Sequence, residues 1–388
     1  MRPAVFLALL AAASARAARG DSSDAASGAS RFALLHSPPT ADAGLPTECA
    51  ARPRANATLA LVVPTYGDDL CVLRLLARGM ARHAAPGLFV AIQLVWVSAA
   101  PMEAYAAERR AVEREFGDAL APLVRWVEHR RALPAPPGGS GSFSGWFEQQ
   151  HAKLAAAAAV AADFCVVLDS KNAPIAPLGR ADFLDGDGRA LVHADFLLAA
   201  RRNQSACADH CKYARWYAAA EAVLGTSVAA AHRVPKSITP TTLHVASVRA
   251  LLASLDAREG GLSRALGPDG ATEFTLYNAF VRGAGAVEPF ECAHALSDVP
   301  TDEVAATVFT HSGFRSVDDR FAQMRGLAAA APPPHARFFG LHRGFADQPE
   351  VRARRAELVE LLRQLGRRRG LLRDGDDERL GRFCLPER

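Results

Sequence analysis

The sequence lacks the signatures of several large enzyme classes. It has no GxSxG, no P-loop, no HExxH and no set of kinase motifs, and it contains no internal repeat. Charge of one sign is not concentrated either, because the net charge is only +4 and the basic residues are scattered among acidic ones. These absences remove several enzyme classes and argue against nucleic acid as a partner.

Long apolar runs are also missing, apart from a short one at the amino terminus. Residues 3–13 are apolar, follow a positively charged start, and precede Ala-x-Ala patterns that end at residues 15 and 17. This pattern is typical of a signal peptide over residues 1–17, or of a short signal anchor. Residues 18–54 show no sustained periodicity and predict a flexible stem. We therefore expect the secretory pathway, that is, the ER or Golgi lumen or secretion.

Cysteines and glycosylation sequons are present in numbers that fit that compartment. There are seven cysteines, so at least one is unpaired. Cys71 lies in a predicted helix and Cys165 in a predicted core strand, and both are predicted to be buried free thiols. The other cysteines are available for disulfides. Sequons at Asn56 and Asn203 predict a glycoprotein.

Alternation of strand and helix patterns dominates the first half of the chain. With 388 residues, 50% of them hydrophobic, the chain can bury a substantial core. Apolar runs at residues 59–63, 88–97 and 123–127 predict strands, and a helix is predicted between each pair. This order predicts an α/β, Rossmann-like three-layer fold with a mostly parallel central sheet. Ligands should then bind beyond the carboxyl ends of the strands.

The rest of the chain predicts a long loop followed by further helices. Residues 130–144 are rich in Pro, Gly and Ser and predict irregular structure. Helices are predicted to start at residues 239–242 and at Thr272, and a carboxy-terminal helix is predicted over residues 349–365. We expect one folded domain over residues 55–348 and a carboxy-terminal helix and tail over residues 349–388.

The densest group of polar residues surrounds one predicted core strand. Residues 164–168 are apolar and end abruptly at Asp169, and the preceding helix projects Gln149, Gln150 and Lys153 from neighbouring turns. A carboxylate directly after a buried strand is costly unless a ligand, metal or hydrogen-bond donor meets it. The simpler alternative is a turn acid. The group predicts a site for a diphosphate and, with it, a nucleotide sugar.

These motifs carry a resemblance to a known family. The sequence resembles the glycosyltransferase-A-like family called domain of unknown function 6492 over roughly residues 59–342. The resemblance implies a glycosyltransferase fold and a hexosyltransferase-like transfer from a nucleoside-diphosphate sugar to a glycan or protein acceptor. Its anchors are Val63-Pro64-Thr65-Tyr66, Gly145-Trp146, Gln149-Gln150, Lys153-Leu154, Asp169 to Asn172, Thr239-Pro240, Thr272-Glu273 and Leu276-Tyr277.

The resemblance also implies roles for individual residues in donor binding. Residues after the first strand, Thr65, Tyr66 and Asp68, are expected to hold the base and ribose. The alternative for Asp68 or Asp69 is a cap of the following helix. Gln149, Gln150 and Lys153 are expected to contact donor phosphates or sugar hydroxyls, against the alternative of a solvated helix face.

The leaving diphosphate needs a positively charged partner, and the sequence leaves two candidates, a divalent metal and a lysine. Enzymes of this fold usually hold Mn or Mg with an Asp-x-Asp, but here Asp169-Ser170-Lys171-Asn172 has a lysine at the second acidic position. Either Asp169 and Asn172, with a later His311, hold a divalent metal, or Lys171 compensates the diphosphate without one.

Catalysis is expected from Asp169 and from Glu273, which starts a helix in the second half. Glu273 is a candidate base near the acceptor hydroxyl, and its alternative role is stabilisation of the helix dipole. Two rival functions remain open. One is a non-catalytic nucleotide-sugar or glycan-binding protein, suggested by the missing second carboxylate, and the other is a structural or interaction protein that keeps only the fold.

Overall fold

The fold was taken from a computed structural model of the chain. The chain divides into two units, Met1–Ala43 and Gly44–Arg388, and the described residues all lie in the second. Among the described helices, none is long and apolar enough to cross a membrane. The structure describes residues 56–98, 100–129, 141–193, 196–197, 211–228, 233–235, 238–258, 261–266, 270–283, 292–297, 299, 304–308, 316–329, 334–341 and 349–373.

Strands and helices alternate through the first half, as the sequence predicts. The strands are β1 (Leu59–Thr65), β2 (Ala91–Trp96), β3 (Val124–Glu128), β4 (Phe164–Val167), β5 (Asn172–Pro174), β6 (Ala190–His193), β7 (Phe196–Leu197), β8 (Arg233–Val234), β9 (Thr241–His244), β10 (His294–Ser297), β11 (Ala305–Val308) and β12 (Phe338–Leu341). The α-helices are α1 (Leu70–His83), α2 (Ala106–Glu115), α3 (Gly117–Leu120), α4 (Gly141–Ala159), α5 (Cys211–Leu224), α6 (Val245–Asp256), α7 (Gly261–Ala265), α8 (Glu273–Arg282), α9 (Val317–Ala329), α10 (Pro349–Ala353) and α11 (Arg355–Arg368).

The central sheet has five strands in the order β3-β2-β1-β4-β9. All neighbours are parallel except β9, which runs antiparallel to β4. Every residue of β1 and β4 is buried, as expected for strands covered by helices on both faces. The predicted α/β class with a mostly parallel central sheet is confirmed.

Alternate residues of β1 belong to two separate cores, one on each face of the sheet. Ala60 and Val62 pack in a core built with α4, α5, α6 and α8. Leu59, Leu61 and Val63 pack in the other core, built with α1 and α2. Because side chains alternate across a strand, this division gives helix, sheet and helix layers.

A smaller sheet of three strands contains β5, the strand that follows the turn after Asp169. It has the order β11-β12-β5, and β5 pairs antiparallel with β12. A third core packs α9 and α11 against Ala173, Ile175 and Phe339. The segment that follows Asp169 is thereby fixed by pairing and packing.

Three of the local expectations are wrong. Helix α4 begins at Gly141, so the last residues of the predicted irregular segment are helical. Residues 241–244 form β9 rather than a helix start, because they pair with β4, and the helix begins only at Val245. The carboxy-terminal helix is broken after Ala353 into α10 and α11.

Of the two cysteines predicted to be free thiols, one prediction is confirmed and the other is wrong. Cys165 is a buried free thiol, as predicted, and its burial raises the pKa of the thiol. Cys71 is not a free thiol, because it is disulfide-bonded, as is Cys292. A position inside a helix is compatible with a disulfide when another cysteine approaches its exposed side, and Cys71 is only half-buried.

Candidate functional site

The candidate site lies where β1 and β4 end side by side. These two strands pair in parallel, so Thr65 and Tyr66 at the end of β1 lie at the same edge of the sheet as the residues after β4. Leu168 still donates its backbone N–H to Val62, and Asp169 is the first residue beyond that pairing. The apolar sequence of β4 therefore places a carboxylate at the edge where parallel sheets bind ligands.

Two ammonium groups converge on the Asp169 carboxylate. Lys153 Nζ lies 2.9 Å from Oδ1, and Lys171 Nζ lies 2.6 Å from Oδ2. A backbone hydrogen bond from Asn172 to the carbonyl of Asp169 closes a turn that brings Lys171 back over the carboxylate. Of the chain's 45 Lys and Arg residues only four are lysines, so half of its lysines meet at this one side chain. A compact ammonium can approach a single carboxylate oxygen, whereas a guanidinium fork would take both.

Lys153 also joins Asp169 to the second half of the chain. Its Nζ lies 2.9 Å from Glu273 Oε1, and it lies over the ring of Phe274 at 5.2 Å from the centroid. Thr272 caps α8 by accepting the backbone N–H of Thr275, which fixes the start of the helix and with it Glu273. Lys153 and Glu273 are both buried, so a fixed ion pair replaces the solvated helix face that was the simpler expectation for Lys153.

The charges of the cluster decide its protonation. Burial on its own raises the pKa of Asp169, but the ammonium groups of Lys153 and Lys171 outweigh it and hold the pKa well below its usual range. Burial likewise lowers the pKa of Lys153, and the carboxylates of Asp169 and Glu273 outweigh it and raise the pKa. At neutral pH, Asp169 is therefore ionised and Lys153 is protonated.

Asn172 is tied to the loop before β9. Its Nδ2 donates to the carbonyl oxygen and to the hydroxyl oxygen of Thr239, at 3.3 and 2.8 Å, and Thr239 Oγ1 also accepts the backbone N–H of Asp169 at 3.4 Å. Because a carbonyl can only accept, these contacts fix the orientation of the Asn172 amide. Its Oδ1 is buried and has no hydrogen-bond partner.

Gln150 has the complementary arrangement. Its Oε1 accepts the backbone N–H of Glu273 at 3.2 Å, which leaves the buried Nε2 without a partner. Asn172 thus carries an unsatisfied buried acceptor, and Gln150 carries an unsatisfied buried donor. Each unmet group of this kind costs about 1–3 kcal/mol. Both call for a water or a ligand atom.

The residues after β1 are linked to the same edge of the sheet through Tyr66 and Asp69. Tyr66 donates its hydroxyl to the carbonyl of Gly145 at 2.7 Å, and burial followed by the charge of Asp69 raises the pKa of Tyr66 above its usual range. Asp69, rather than the exposed Asp68, accepts the hydroxyl of Ser170 at 2.6 Å. Asp69 occupies the cap position of α1 but makes no side-chain cap hydrogen bond.

The structure thus brings most of the predicted residues together. Asp169, Lys171, Lys153, Glu273 and Gln150 form one connected cluster, which we call the Asp169 cluster. Thr65 is buried at the end of β1, and Gln149 is half-buried on α4. The predicted metal ligand His311 lies outside the described residues. Among the described residues, no group of three or more His, Cys, Asp or Glu side chains could hold a metal ion.

Two residues at the site were missed as functional candidates. Thr239 belongs to the Thr-Pro pair noted in the sequence, but nothing in the sequence indicates that it contacts the turn 67 residues earlier. Asp69 was weighed only as a helix cap. A short, acid-rich turn after the first strand is the signal that points to either Asp68 or Asp69, and only packing against Ser170 separates them.

Comparison with solved structures finds coarse fold similarity to glycosyltransferases. The bifunctional glycosyltransferase WbbM matches with a TM-score of 0.39 and 12% identity over 78% of this chain and 52% of its own, so the chain spans about half the length of WbbM. The galactosyltransferase LgtC in complex with donor and acceptor sugar analogues matches with a TM-score of 0.38 and 10% identity, over 81% of this chain and 100% of LgtC. Mouse xyloside xylosyltransferase 1 matches with a TM-score of 0.36 and 12% identity, over 73% and 97% of the two chains.

Comparison with protein sequences gives a family but no characterised relative. No curated protein matches the chain significantly. The model of one family matches residues 56–318, which include all of the Asp169 cluster. The chain therefore belongs to the family of unknown function DUF6492.

Proposed function

We propose that the protein is a glycosyltransferase that binds a nucleoside-diphosphate sugar at the carboxyl ends of β1 and β4 and transfers the sugar to a glycan or protein acceptor. The observation that carries the proposal is the Asp169 carboxylate held between Lys153 and Lys171 at that edge of the sheet. A charged cluster at such an edge, with perturbed pKa values, is typical of a functional site.

The reaction makes a specific demand on the cluster. Transfer separates a sugar that carries positive charge from a diphosphate that gains negative charge, and a fixed cation beside the diphosphate stabilises that change. Lys171 is the candidate, because its side chain is 19% exposed whereas that of Lys153 is 6% exposed. We assign Lys171 to the diphosphate and Lys153 to holding Asp169 in place.

Charge balance explains how a ligand would compete for Lys171. Lys153 and Lys171 carry two positive charges, and Asp169 and Glu273 carry two negative ones, so the cluster is neutral. An incoming diphosphate must therefore share or replace Asp169 as the partner of Lys171. Asp169 would remain held by Lys153 while this happens, so the exchange needs no movement of β4.

A divalent metal is the other way to compensate the diphosphate, and the donor set fits it only in part. Asn172 offers a buried oxygen without a partner, which suits Mn or Mg. Both oxygens of Asp169, however, already face ammonium groups, and a cation there would be repelled by them. Nucleotide binding with and without EDTA therefore distinguishes a metal from Lys171.

Glu273 takes a supporting part in this proposal. An acceptor base must reach the acceptor hydroxyl. The Glu273 side chain is 5% exposed and is bonded to Lys153. We propose that Glu273 positions Lys153, and that Asp169 is the carboxylate available to the reacting groups, since its side chain is 14% exposed.

Calorimetry with UDP and GDP tests the proposal. A lysine and a metal as partners of the diphosphate predict opposite effects of Asp169→Asn on nucleotide affinity. If Lys171 binds the diphosphate, Asp169→Asn frees the ammonium and tightens binding about 5- to 10-fold, Lys171→Ala weakens it by a similar factor, and EDTA has no effect. If a metal binds the diphosphate, Asp169→Asn and EDTA both abolish nucleotide binding. Asp185→Asn is the matched control, because it neutralises a carboxylate that is paired with Arg189 in the turn before β6. Failure of the wild-type protein to bind either nucleotide refutes the proposal.

A second candidate is a non-catalytic nucleotide-sugar or glycan-binding protein. It is favoured by the same neutrality, because every charged group of the Asp169 cluster already has a partner. Release of free sugar and nucleoside diphosphate from UDP- and GDP-sugars separates the two. Nucleotide binding without any release in the wild-type protein, even in the presence of Mn, would establish the binding function instead.

Location in the secretory pathway is part of the proposal. It is supported by the disulfides at Cys71 and Cys292, which are typical of oxidising compartments, and by the exposed position of Asn56 in its sequon. In a secretory host we expect N-glycan removal to shift the mobility of the protein, and Asn56→Gln to reduce that shift. An unglycosylated protein with reduced cysteines would contradict this assignment.

A further inference from the structure

A group of aromatic side chains stands at the start of α4, outside the Asp169 cluster. Trp146 and Trp216 lie with their ring centroids 6.0 Å apart and their planes tilted by 34°, and Tyr213 meets Trp216 edge-on at 5.3 Å. The Trp146 side chain is 38% exposed, which makes it one of the few large apolar side chains at the surface of the described chain. We call these three residues the aromatic platform.

The platform and the Asp169 cluster share one helix face. Trp146, Gln150 and Lys153 are spaced i, i+4 and i+7 on α4, so they form a stripe along one side of the helix. Seven residues correspond to about 10 Å along the axis. The Tyr66 hydroxyl holds the Gly145 carbonyl next to Trp146, which ties the platform to the end of β1. The platform therefore borders the edge of the sheet at which the donor is proposed to bind.

The ring geometry restricts what the platform can hold. A flat ring inserted between two aromatic faces needs about 7 Å between them, since atoms in contact stay about 3.5 Å apart. The two indoles are closer than that, so a nucleobase does not fit between them. A ring must lie on the outer face, with its polar rim turned outward. A pyranose has an apolar face of C–H groups and a polar rim, and this shape matches the exposed part of the Trp146 indole, which is 38% exposed.

An unmet polar group stands along the same stripe. Gln150 Nε2 is buried without a partner, between Trp146 and Lys153 in the helix. Sugar hydroxyl and ring oxygens are acceptors that such an amide donor can bind. An apolar ring surface with a polar group on the same helix face is the usual composition of a small-ligand site.

We propose that the aromatic platform is a carbohydrate subsite that stacks a pyranose ring on Trp146. The proposal rests on the proposed function, because it supplies the sugar-binding surface beside the donor site. It differs in its consequences, because the platform should bind a sugar even when no nucleotide is present. Trp146 is then a binding residue, and Trp216 and Tyr213 hold its ring in place.

Saturation-transfer NMR and tryptophan fluorescence with methyl glucoside, methyl galactoside and methyl xyloside test the proposal. We expect at least one glycoside to bind the wild-type protein. We expect Trp146→Ala to weaken it about 5-fold, as the loss of one stacking contact of about 1 kcal/mol implies, and Trp146→Phe to stay within about 2-fold. Trp126→Phe is the matched control, because it alters another partly buried tryptophan, which bonds to Glu113 on the β3 side of the sheet, and should leave glycoside binding unchanged.

Parallel titrations with UDP and GDP separate this proposal from the proposed function. The expected result is that Trp146→Ala leaves nucleotide binding unchanged. The subsite proposal is overturned if no glycoside binds the wild-type protein, if Trp146→Ala binds glycosides as well as the wild-type does, or if the variant loses nucleotide and glycoside binding equally. Glycoside binding that needs Trp146 in a protein that binds neither UDP nor GDP would support the subsite and refute the donor site.

Discussion

Replacement of Lys153 by methionine is the perturbation that the Asp169 cluster should tolerate least. The ammonium is buried and lies 2.9 Å from both Asp169 and Glu273. At an effective dielectric constant of about 20, each contact is worth on the order of 5 kcal/mol before the cost of desolvation. Lys171 still compensates Asp169 in the variant, but Glu273 is left without its ammonium partner. Since breaking a buried ion pair costs about 3–5 kcal/mol, we expect a loss of that size in the free energy of unfolding.

Urea unfolding of three variants measures the loss and its cause. Lys153→Met should cost about 3–5 kcal/mol, and Lys153→Met with Glu273→Gln should recover about half of it, because the amide needs no counter-charge. Arg189→Met is the surface control and should cost less than about 1 kcal/mol, since its ion pair is partly exposed. The double variant also keeps the test informative if Lys153→Met does not fold.

The pH dependence provides the refuting result. The pKa of Asp169 is lowered in the folded state, so its ion pairs add stability above the unfolded pKa of about 3.9, and this stability is lost as the pH falls through the folded pKa. The deficit of Lys153→Met relative to the wild type should therefore be full at neutral pH and should shrink below about pH 4, as carboxyl groups become protonated. A deficit under about 1 kcal/mol at neutral pH, or one that is equal at pH 7 and at about pH 2, would show that Lys153 does not carry the cluster.

Three further predictions concern residues around the site and in the core. Asn172→Ala removes both hydrogen bonds to Thr239 and should lower the free energy of unfolding by about 1–3 kcal/mol in urea, whereas an unchanged midpoint would contradict the role of this contact. Tyr66→Phe should raise hydrogen exchange at the start of α4 by removing the bond to Gly145, and in the wild type the raised pKa of Tyr66 should keep it from titrating with ordinary tyrosines near pH 10, as ultraviolet absorbance can check. Burial on its own raises the pKa of Glu115, but Arg78, Arg74 and Arg373 outweigh it and lower the pKa to about 2. These ion pairs therefore add stability above about pH 4.5, and this stability is lost as the pH falls to about 2; Glu115→Gln should abolish this part of the acid unfolding curve.

The sequence alone located the carboxylate on which the site is built. Five continuous apolar residues followed by Asp169 indicate a buried strand that ends at a polar edge, and the structure has that strand at Phe164–Val167. Strand and helix periods are local properties of the chain, so the order of elements could be read without knowing their partners. The helical spacing of Gln150 and Lys153 could be read in the same way, because it depends on one helix only.

Only the tertiary structure decided which groups meet. Glu273 lies 120 residues from Lys153, and a glutamate in a first helical turn looks the same in sequence whether it stabilises a helix dipole or binds a buried lysine. Residues 241–244 have the local pattern of a helix start, but they form the antiparallel strand β9 beside β4. The backbone groups of the buried strand β4 need a hydrogen-bonding neighbour on this side, and β9 supplies it. Cys71 was misassigned for the same reason, since its disulfide depends on the approach of another segment.

The aromatic platform shows the same division between sequence and tertiary structure. Trp146 stands in a motif that the sequence displays, whereas Trp216 belongs to α5 and has no pattern that links it to α4. Local sequence fixes the period of an element and the residue type at its end, because both follow from backbone geometry and burial. The contacts of charges, amides and rings across distant segments follow from how the layers pack, and packing depends on the whole chain at once.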